Sequence, residues 1–455
     1  MGNQLPEAVF FLGIGGIGMS GLARWYKRQG VLVSGYDKTE TALTQALVGE
    51  GIPVYYTQEI PDSLHQASKI IYTPAVPLSH PVFAYAQEKG IPLLKRAAVL
   101  GEISQHLPCL AVAGTHGKTS VTALLAYLMQ EGNAEPLAFV GGVLKNYQTN
   151  FLNGNGDWMV AEADEFDRSF LKLSPHSAVI TAVDPDHLDI YGDAQTFEEG
   201  FRLFAEKVSA EGIILLQEKL RAFGSTLSDR KILYYGQEST ADVILSDIQH
   251  QGIFSTFTYT WGDICLSSLK LNIPGRHNIH NAGAAITLAL LSGVSPESIS
   301  ASLARYSGVA RRMDIRYHRT DLVYIDDYAH HPEEIRAVLS AVRELFPQAY
   351  LRVAFQPHLY SRTRDFCSGF AQSLSLADEV ILLDIYPARE EPIPGVSSQS
   401  IAAEMGSIPF SFCSKEALPA LLGATHSGSM VIMTLGAGDI DTCVPLVEAF
   451  IEKAA

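Results

Sequence analysis

The sequence predicts an α/β protein of three parallel-sheet units, and three observations carry that expectation. Short apolar runs alternate with helix-length amphipathic stretches from end to end, the pattern of parallel strands covered by helices. The 455 residues suffice for about three domains, each able to bury its own core. Two glycine-rich loops each join an apolar strand to a helix, a place where α/β proteins hold phosphate groups.

The first unit reads as strand 8–12, a glycine loop, helix 19–29 and strand 31–35, with Asp37 just beyond. It ends near Gln105-His106-Leu107-Pro108, where a helix stops before a new apolar run. That run, strand 109–113, opens a second unit with its own glycine loop and a helix over 120–130. Apolar strands follow at 158–161 and 178–182, each running straight into acidic residues. Alternating Phe, Thr, Tyr and Leu between 253 and 271 predict antiparallel strands, and the Ala/Leu-rich stretch 278–291 predicts a buried helix. The third unit begins after Arg311-Arg312, with strands at 322–325, 350–355, 379–383 and 430–435. Short linkers join the units, with no internal repeat or low-complexity tract.

Hydrophobic residues make up 47% and charged residues 18%, an ordinary folded composition. Asp and Glu total 49 against 33 Lys and Arg, and the net charge of −16 repels nucleic acid. Anionic small molecules remain acceptable, because backbone N–H groups or a divalent cation reverse the sign inside one cleft. Five scattered cysteines without CxxC spacing argue against a disulfide framework and a zinc site, and favour a reducing cytoplasm. The uncharged run 8–23 follows Glu7 without Lys or Arg and is rich in glycine, so it reads as strand and loop rather than signal peptide. Pro6 stands where myristoylation wants Ser or Thr, and no apolar run reaches the ~18 residues of a membrane span.

Gly13-Ile14-Gly15-Gly16-Ile17-Gly18 satisfies GxGxxG, with Asp37 closing the next strand 19 residues after Gly18. Alone this is a dinucleotide fingerprint: glycines for close approach to a pyrophosphate, a carboxylate for ribose hydroxyls. The second loop, Gly114-Thr115-His116-Gly117-Lys118-Thr119-Ser120, is a phosphate loop whose lysine reaches terminal phosphates and whose Thr119 hydroxyl holds Mg²⁺. It is shorter than GxxxxGK[ST], since Val112 stands where that pattern has its first glycine. Hydride transfer needs no triphosphate, so the pair of loops favours an ATP-driven enzyme acting on a nucleotide-linked substrate.

Strand 158–161 is followed by Glu162-Ala163-Asp164-Glu165-Phe166-Asp167, and Glu162, nearest the strand, suits nucleotide-bound Mg²⁺. Asp164, Glu165 and Asp167 read equally well as a solvated loop. Next, Asp184-Pro185-Asp186-His187 places His187 to ligate a second cation or orient a phosphate. In the third unit Asp326-Asp327-Tyr328-Ala329-His330-His331, Gln356-Pro357-His358-Leu359-Tyr360-Ser361-Arg362 and Asp384-Ile385-Tyr386 follow successive strands and predict a pocket. Arg362 can fork onto a carboxylate there, which points to a small ligand bearing a carboxylate and an amine.

Together these motifs resemble the Mur ligase family, and within it the branch that adds L-alanine to UDP-N-acetylmuramate. The resemblance lies in GIGGIGMSGLA from Gly13, AVAGTHGKTS from Ala111, AEADEFDRSF from Ala161 and DPDHLDIYG from Asp184. HNIHNAGAAI from His277, SGVARR from Ser307, DDYAHHP from Asp326 and FQPHLYSRTR from Phe355 complete it, in family order over nearly the whole chain. It implies an N-terminal Rossmann-like UDP-binding domain over 1–107, a central ATP-binding P-loop domain over 108–312, and a C-terminal Rossmann-like amino-acid-binding domain over 313–455. It also reassigns the first loop: Gly13, Gly15, Gly16, Ile17 and Gly18, with Asp37, would hold UDP rather than NAD.

The implied reaction makes an acyl phosphate from ATP and the muramyl carboxylate, which the alanine amine then attacks. ATP would be bound by Gly114, Thr115, His116, Gly117, Lys118, Thr119, Ser120, Asn278, Asn281 and Arg312. Lys118 would stabilise the transferring phosphate, Thr119 and Glu162 would hold one Mg²⁺, and His187 a second. Tyr328, His330 and Arg362 would line the amino-acid pocket. Leu359 stands where some relatives have an arginine, and no lysine lies between Lys172 and Lys207 to be carbamoylated, as fits the alanine-adding branch. The partners expected are UDP-N-acetylmuramate and L-alanine, with no nucleic acid, no membrane, and a monomer or weak homodimer. The alternatives are a recycling ligase that adds an intact tripeptide to the same sugar nucleotide, a nicotinamide oxidoreductase, and a non-catalytic nucleotide-binding protein.

Overall fold

A computed structural model describes residues 5–185, 191–227, 229–388, 390–424 and 426–454. The first sheet has five parallel strands: β1 (Ala8–Leu12), β2 (Leu32–Tyr36), β3 (Val54–Tyr55), β4 (Lys69–Tyr72) and β5 (Leu93–Lys95). Their order β3-β2-β1-β4-β5 reverses direction at β1, so a crevice opens at the carboxyl end of β1, where the first glycine loop lies. All five residues of β1 are buried, as a strand covered on both faces requires.

The second sheet has ten strands. They are β6 (Cys109–Ala113), β7 (Leu137–Leu144), β8 (Thr149–Asn153), β9 (Met159–Glu162), β10 (Pro175–Ile180), β11 (Ile214–Gln217), β12 (Ile232–Gly236), β13 (Val243–Gln251), β14 (Phe254–Trp261) and β15 (Ile264–Leu271). The order is β15-β14-β13-β12-β11-β10-β6-β9-β7-β8, which puts β6 and its phosphate loop between β9 and β10. Adjacent β14 and β15 are joined by two residues with Gly262 at φ +56, the short turn of an antiparallel hairpin, as the alternation between 253 and 271 predicts.

The third sheet comprises β16 (Asp314–Arg319), β17 (Leu322–Asp327), β18 (Tyr350–Phe355), β19 (Glu379–Leu382), β20 (Phe410–Phe412) and β21 (Met430–Leu435). Its order is β16-β17-β21-β18-β19-β20, with β16 an antiparallel edge strand on an otherwise parallel sheet. The three-sheet α/β architecture is the expected fold class.

The chain forms two compact units. One contains residues up to Ile248, Thr256–Lys270 and His277–Ser307; the other contains Gln249–Ser255, Leu271–Arg276 and the chain from Gly308 onward. The first two sheets therefore share one unit, joined by helix α1 (Ile17–Arg28). One apolar core runs from Phe11, Ile14 and Leu22 to Phe139 and Phe151, and each such side chain contributes ~1.5–3 kcal/mol on burial. Gly21 on α1 faces Phe139 of β7, where a Cβ would sit at 3.4 Å, an ordinary van der Waals contact. Buried Arg24 pairs with Glu50 at 2.6 Å and donates to Asn150. Asn150 in turn donates to the Ile17 carbonyl at 2.5 Å and to Ser20 Oγ at 3.1 Å. These bonds pin the first turn of α1 to the hairpin of β7 and β8.

Among the described residues no helix is long and apolar enough to cross a membrane, and all five cysteines are free thiols.

Candidate active site

The phosphate loop leaves β6 at Gly114 and enters helix α2 (Lys118–Glu131), where Gly117 is the N-cap. Gly114 has φ +130 and Gly117 φ +81, in the left-handed region that favours glycine. Space demands glycine as well, since a Cβ at Gly117 would lie 2.6 Å from Asn281 Oδ1. The loop is tied to the end of β10: Thr115 N–H donates to the Ala182 carbonyl at 3.1 Å, Asp184 N–H donates to Thr115 Oγ1 at 3.2 Å, and Thr181 donates to the His116 carbonyl. His116 Nε2 lies 3.7 Å from Asp184. Asn278 and Asn281, both buried, are joined at 3.3 Å, which puts this pair beneath the loop.

Lys118 curls back on its own loop, donating to the Gly114 carbonyl at 2.7 Å and to Glu165 at 2.7 Å. Burial alone would lower the Lys118 ammonium, but the carboxylates of Glu165, Asp164 and Glu162 outweigh it and hold it above its ordinary value. The lysine is therefore a fixed cation. Burial drives the Glu165 carboxyl upward against the pull of Lys118. Thr119 Oγ1 donates to Glu162 Oε1 at 3.1 Å, and Gly141 N–H donates to Glu162 Oε2 at 3.0 Å. Strand β9 runs one residue further than expected, which puts Glu162 at its last position, on the rim of the sheet.

A hydroxyl and one carboxylate side by side at the mouth of a phosphate loop fit Mg²⁺, which takes one or two carboxylates and completes its shell with phosphates and water. Among the described residues no group of three or more His, Cys, Asp or Glu is arranged to hold a metal. His187, the expected ligand of a second cation, lies outside the described residues.

Of the acids after Glu162, Asp164 is half-buried, Asp167 is exposed, and Glu165 alone leaves the solvent. Glu165 is 2% exposed, and Tyr191 OH donates to its carbonyl at 2.8 Å. Asp167 and Arg168, just beyond Glu165, both adopt φ +53, in the left-handed region. Asp164 pairs with Arg96 at 3.1 Å and Asp167 with Lys95 at 2.6 Å. Sequence reasoning missed Glu165, Lys95 and Arg96. The one signal was an excess of acids: four between 162 and 167, where a metal needs one or two.

At the first glycine loop, Gly13 and Ile14 N–H both donate to the Tyr36 carbonyl, at 2.8 and 2.9 Å. The Asp37 carboxylate turns back to accept the Gly15 N–H at 2.7 Å, so in this state it closes the loop. Gly16 is exposed at the N-terminus of α1, and Ile17 and Gly18 form its first turn.

The second unit gathers Tyr328, His330 and Arg362, as expected, at the ends of β17 and β18. The Tyr328 and His330 rings are 5.2 Å apart, His330 and His358 5.9 Å, and His358 stacks on Tyr386 at 5.8 Å. Arg311 and Arg312 lie over the Tyr328 ring at 5.0 and 5.2 Å. Arg311 is also bound to the Gly436 carbonyl and pairs with Asp441 at 3.2 Å, whereas Arg312 acts on Asp327 and His330 through space. Burial, reinforced by Arg362 and Arg312 and opposed by Glu334, pushes His330 down to about 4. Neutral His330 donates from Nδ1 to the Tyr328 carbonyl at 3.0 Å, which leaves the Nε2 lone pair as an acceptor. Among the described residues Arg362 Nη1 is buried without a hydrogen-bond partner, which leaves it free to take an anionic oxygen. Leu359, beside it, sits at φ +71, a conformation rare for a branched apolar residue.

The first unit thus joins Lys118, Thr119, Glu162, Asn278 and Asn281, and the second joins Arg312, Tyr328, His330 and Arg362.

Three family profiles match in chain order: "Mur ligase family, catalytic domain" over residues 8–107, "Mur ligase middle domain" over 112–289 and "Mur ligase, glutamate ligase domain" over 311–438. The chain is 43% identical to the UDP-N-acetylmuramate–L-alanine ligase of Cytophaga hutchinsonii, over 98% of this chain and 97% of that protein. Its fold matches the crystal structure of UDP-N-acetylmuramate-alanine ligase from Thermotoga maritima with a TM-score of 0.83 at 28% identity, covering 98% of this chain and 100% of the other. A murein peptide ligase from Psychrobacter arcticus shares the fold at a TM-score of 0.73 and 22% identity, covering 98% of each chain.

Proposed function

The chain belongs to the Mur ligase family, and from that premise we propose that it joins L-alanine to the lactyl carboxylate of UDP-N-acetylmuramate in peptidoglycan precursor synthesis. The reaction is coupled to cleavage of ATP to ADP and phosphate. The observation that carries this reading is the presence in one unit of two phosphate-type loops, with Lys118, Thr119 and Glu162 converging at the second. We take residues 1–107, 108–312 and 313–455 as the UDP-binding, ATP-binding and amino-acid-binding domains. The five free thiols accord with a cytoplasmic enzyme.

In the first step a carboxylate oxygen of the muramyl group attacks the γ-phosphorus of ATP, the bridging P–O bond breaks, and ADP leaves. Loop N–H groups from Gly114 to Ser120 cradle the phosphates, and Lys118 exchanges Glu165 for the transferring phosphoryl oxygens. Thr119 Oγ1 and Glu162 would hold Mg²⁺, which neutralises phosphate charge when bound. The acyl phosphate is then attacked by the neutral alanine amine, the C–O bond to phosphate breaks, and phosphate leaves as the amide forms, the proton released from nitrogen passing to the departing phosphate. Arg362 receives the alanine carboxylate, and His330 Nε2 accepts a hydrogen bond from the amine, orienting its lone pair.

Phosphate release from ATP, measured with UDP-N-acetylmuramate and Mg²⁺, tests the acceptor. L-alanine alone is expected to support release. Release only with the L-Ala-γ-D-Glu-diaminopimelate tripeptide would keep the ATP site and move the protein to cell-wall recycling.

A second expectation concerns His330. Because its pKa is lowered, the ring is neutral above about pH 4, and its acceptor nitrogen stays available through the neutral range. Histidine ring NMR is expected to give a titration midpoint below 5 for the resonance missing in His330→Gln. A midpoint near the ordinary ~6.5 would remove the neutral acceptor from the mechanism.

A further inference from the structure

Arg311 and Arg312 are neighbours in the chain and both lie over the Tyr328 ring, yet they are held differently. The Arg311 guanidinium donates to the Gly436 carbonyl, pairs with Asp441 at 3.2 Å and places Nε 3.6 Å from Asp326 Oδ2. Asp326 is itself fixed, since Thr434 Oγ1 donates to it at 2.6 Å. Among the described residues Arg312 makes no hydrogen bond through its guanidinium. One arginine of the pair is committed to the protein and the other is not.

The main chain joins the same two residues. Tyr328 N–H donates to the Arg311 carbonyl at 2.8 Å, and Arg311 sits at φ +63, a conformation uncommon for any residue but glycine. The loop after β21 that Arg311 grips is fastened on its other side by Gln356, whose Oε1 accepts the Ile440 N–H at 2.9 Å and whose Nε2 donates to Asp439 at 2.8 Å. Gln356 leads directly into Pro357-His358, and His358 stacks on Tyr386 at 5.8 Å. Arg311 and Gln356 thus tie two sides of one pocket, Tyr328 with His330 and His358 with Tyr386, to a single loop. A planar fork that meets a carbonyl and a carboxylate at once fixes direction as well as distance, which an ammonium does not.

The structure assigns Arg311 as a positioning residue of this pocket: clamped between Asp326 and the 436–441 loop, it holds the Tyr328 ring and, through the Tyr328 carbonyl, the His330 imidazole. The inference rests on the alanine site proposed above and names the side chain that keeps its aromatic wall in place.

Histidine ring NMR on the full-length protein tests it without substrate. His330 is bonded to the Tyr328 carbonyl at 3.0 Å and is pushed down to about 4 chiefly by burial, so a Tyr328 that shifts admits water and raises the midpoint. Arg311→Lys keeps the positive charge and loses the fork. Its His330 midpoint is expected to rise by at least about 0.5 pH, whereas an influence through charge alone leaves it where it was, and a smaller rise would overturn the inference. If that variant does not fold, Asp441→Asn at the exposed end of the clamp decides. Loss of its negative charge alone lowers the His330 midpoint; loosening of Arg311 is expected to raise it, and a midpoint that falls or stays put would overturn the inference. In alanine-dependent phosphate release Arg311→Lys is expected to raise the KM for L-alanine at least about tenfold and to leave the KM for ATP within about twofold. Equal rises in both would mark a general loosening and overturn the role in the pocket. A wild type that ignores alanine would lose the acceptor assignment, and the His330 midpoint would still decide the part played by Arg311.

Discussion

Lys118→Ala is expected to lower ATP-dependent phosphate release at least about 10²-fold, because it removes a preorganised charge worth ~3 kcal/mol to the phosphoryl-transfer transition state. The structure adds a second consequence. Glu165, 2% exposed, keeps its carboxylate opposite Lys118 at 2.7 Å, and truncating the lysine leaves that acid buried without its cation. Removing one partner of such a pair typically destabilises by ~3–5 kcal/mol, so the single variant should also melt earlier. The double variant Lys118→Ala, Glu165→Gln separates the two effects. Its melting temperature is expected to recover toward wild type while phosphate release stays low. Recovery of both would mean that the lysine serves stability and not the chemistry.

For Glu162→Ala the expected result is a Mg²⁺ requirement raised at least about tenfold, with a rate at saturating metal that stays well below wild type. The carboxylate is held on both sides, by Thr119 Oγ1 at 3.1 Å and Gly141 N–H at 3.0 Å, so its two oxygens are aimed rather than mobile. Glu162→Gln keeps the shape and the acceptor for Gly141 N–H but loses the charge, its amide N–H now donating to Thr119 Oγ1, and is expected to show the same metal defect. A metal titration matching wild type in both variants would take Glu162 out of the site.

Much of the architecture was legible residue by residue. Strands β1, β6, β18 and β21 span 8–12, 109–113, 350–355 and 430–435 as read, because each is an apolar run closed abruptly by glycine, proline or a polar residue. The helices after both glycine loops begin two residues earlier than read, at Ile17 and Lys118. Their first turns follow directly on the glycine loops and carry no amphipathic signal. The meeting of Lys118, Thr119 and Glu162 was also legible, since each has a set position: the first turn of a helix after a glycine loop, and the end of the neighbouring strand.

The division into units was less legible. Three sheets are present, but α1 is buried against both its own sheet and the β7–β8 hairpin, with Asn150 reaching back to the Ile17 carbonyl. Nothing in the residues around 150 announces a partner 133 positions earlier.

The sequence by itself determined the local groupings: two glycine loops between strand and helix, a lysine and a threonine at a helix mouth, and a cluster of histidine, tyrosine and arginine at strand ends. Only the tertiary structure decided which acid answers which cation. Four carboxylates within six residues look alike in the chain. In the fold Glu165 answers Lys118, Asp164 answers Arg96 at the start of the helix Arg96–Ile103, and Asp167 answers Lys95. Charge pairing depends on distance and burial, and those belong to the folded chain.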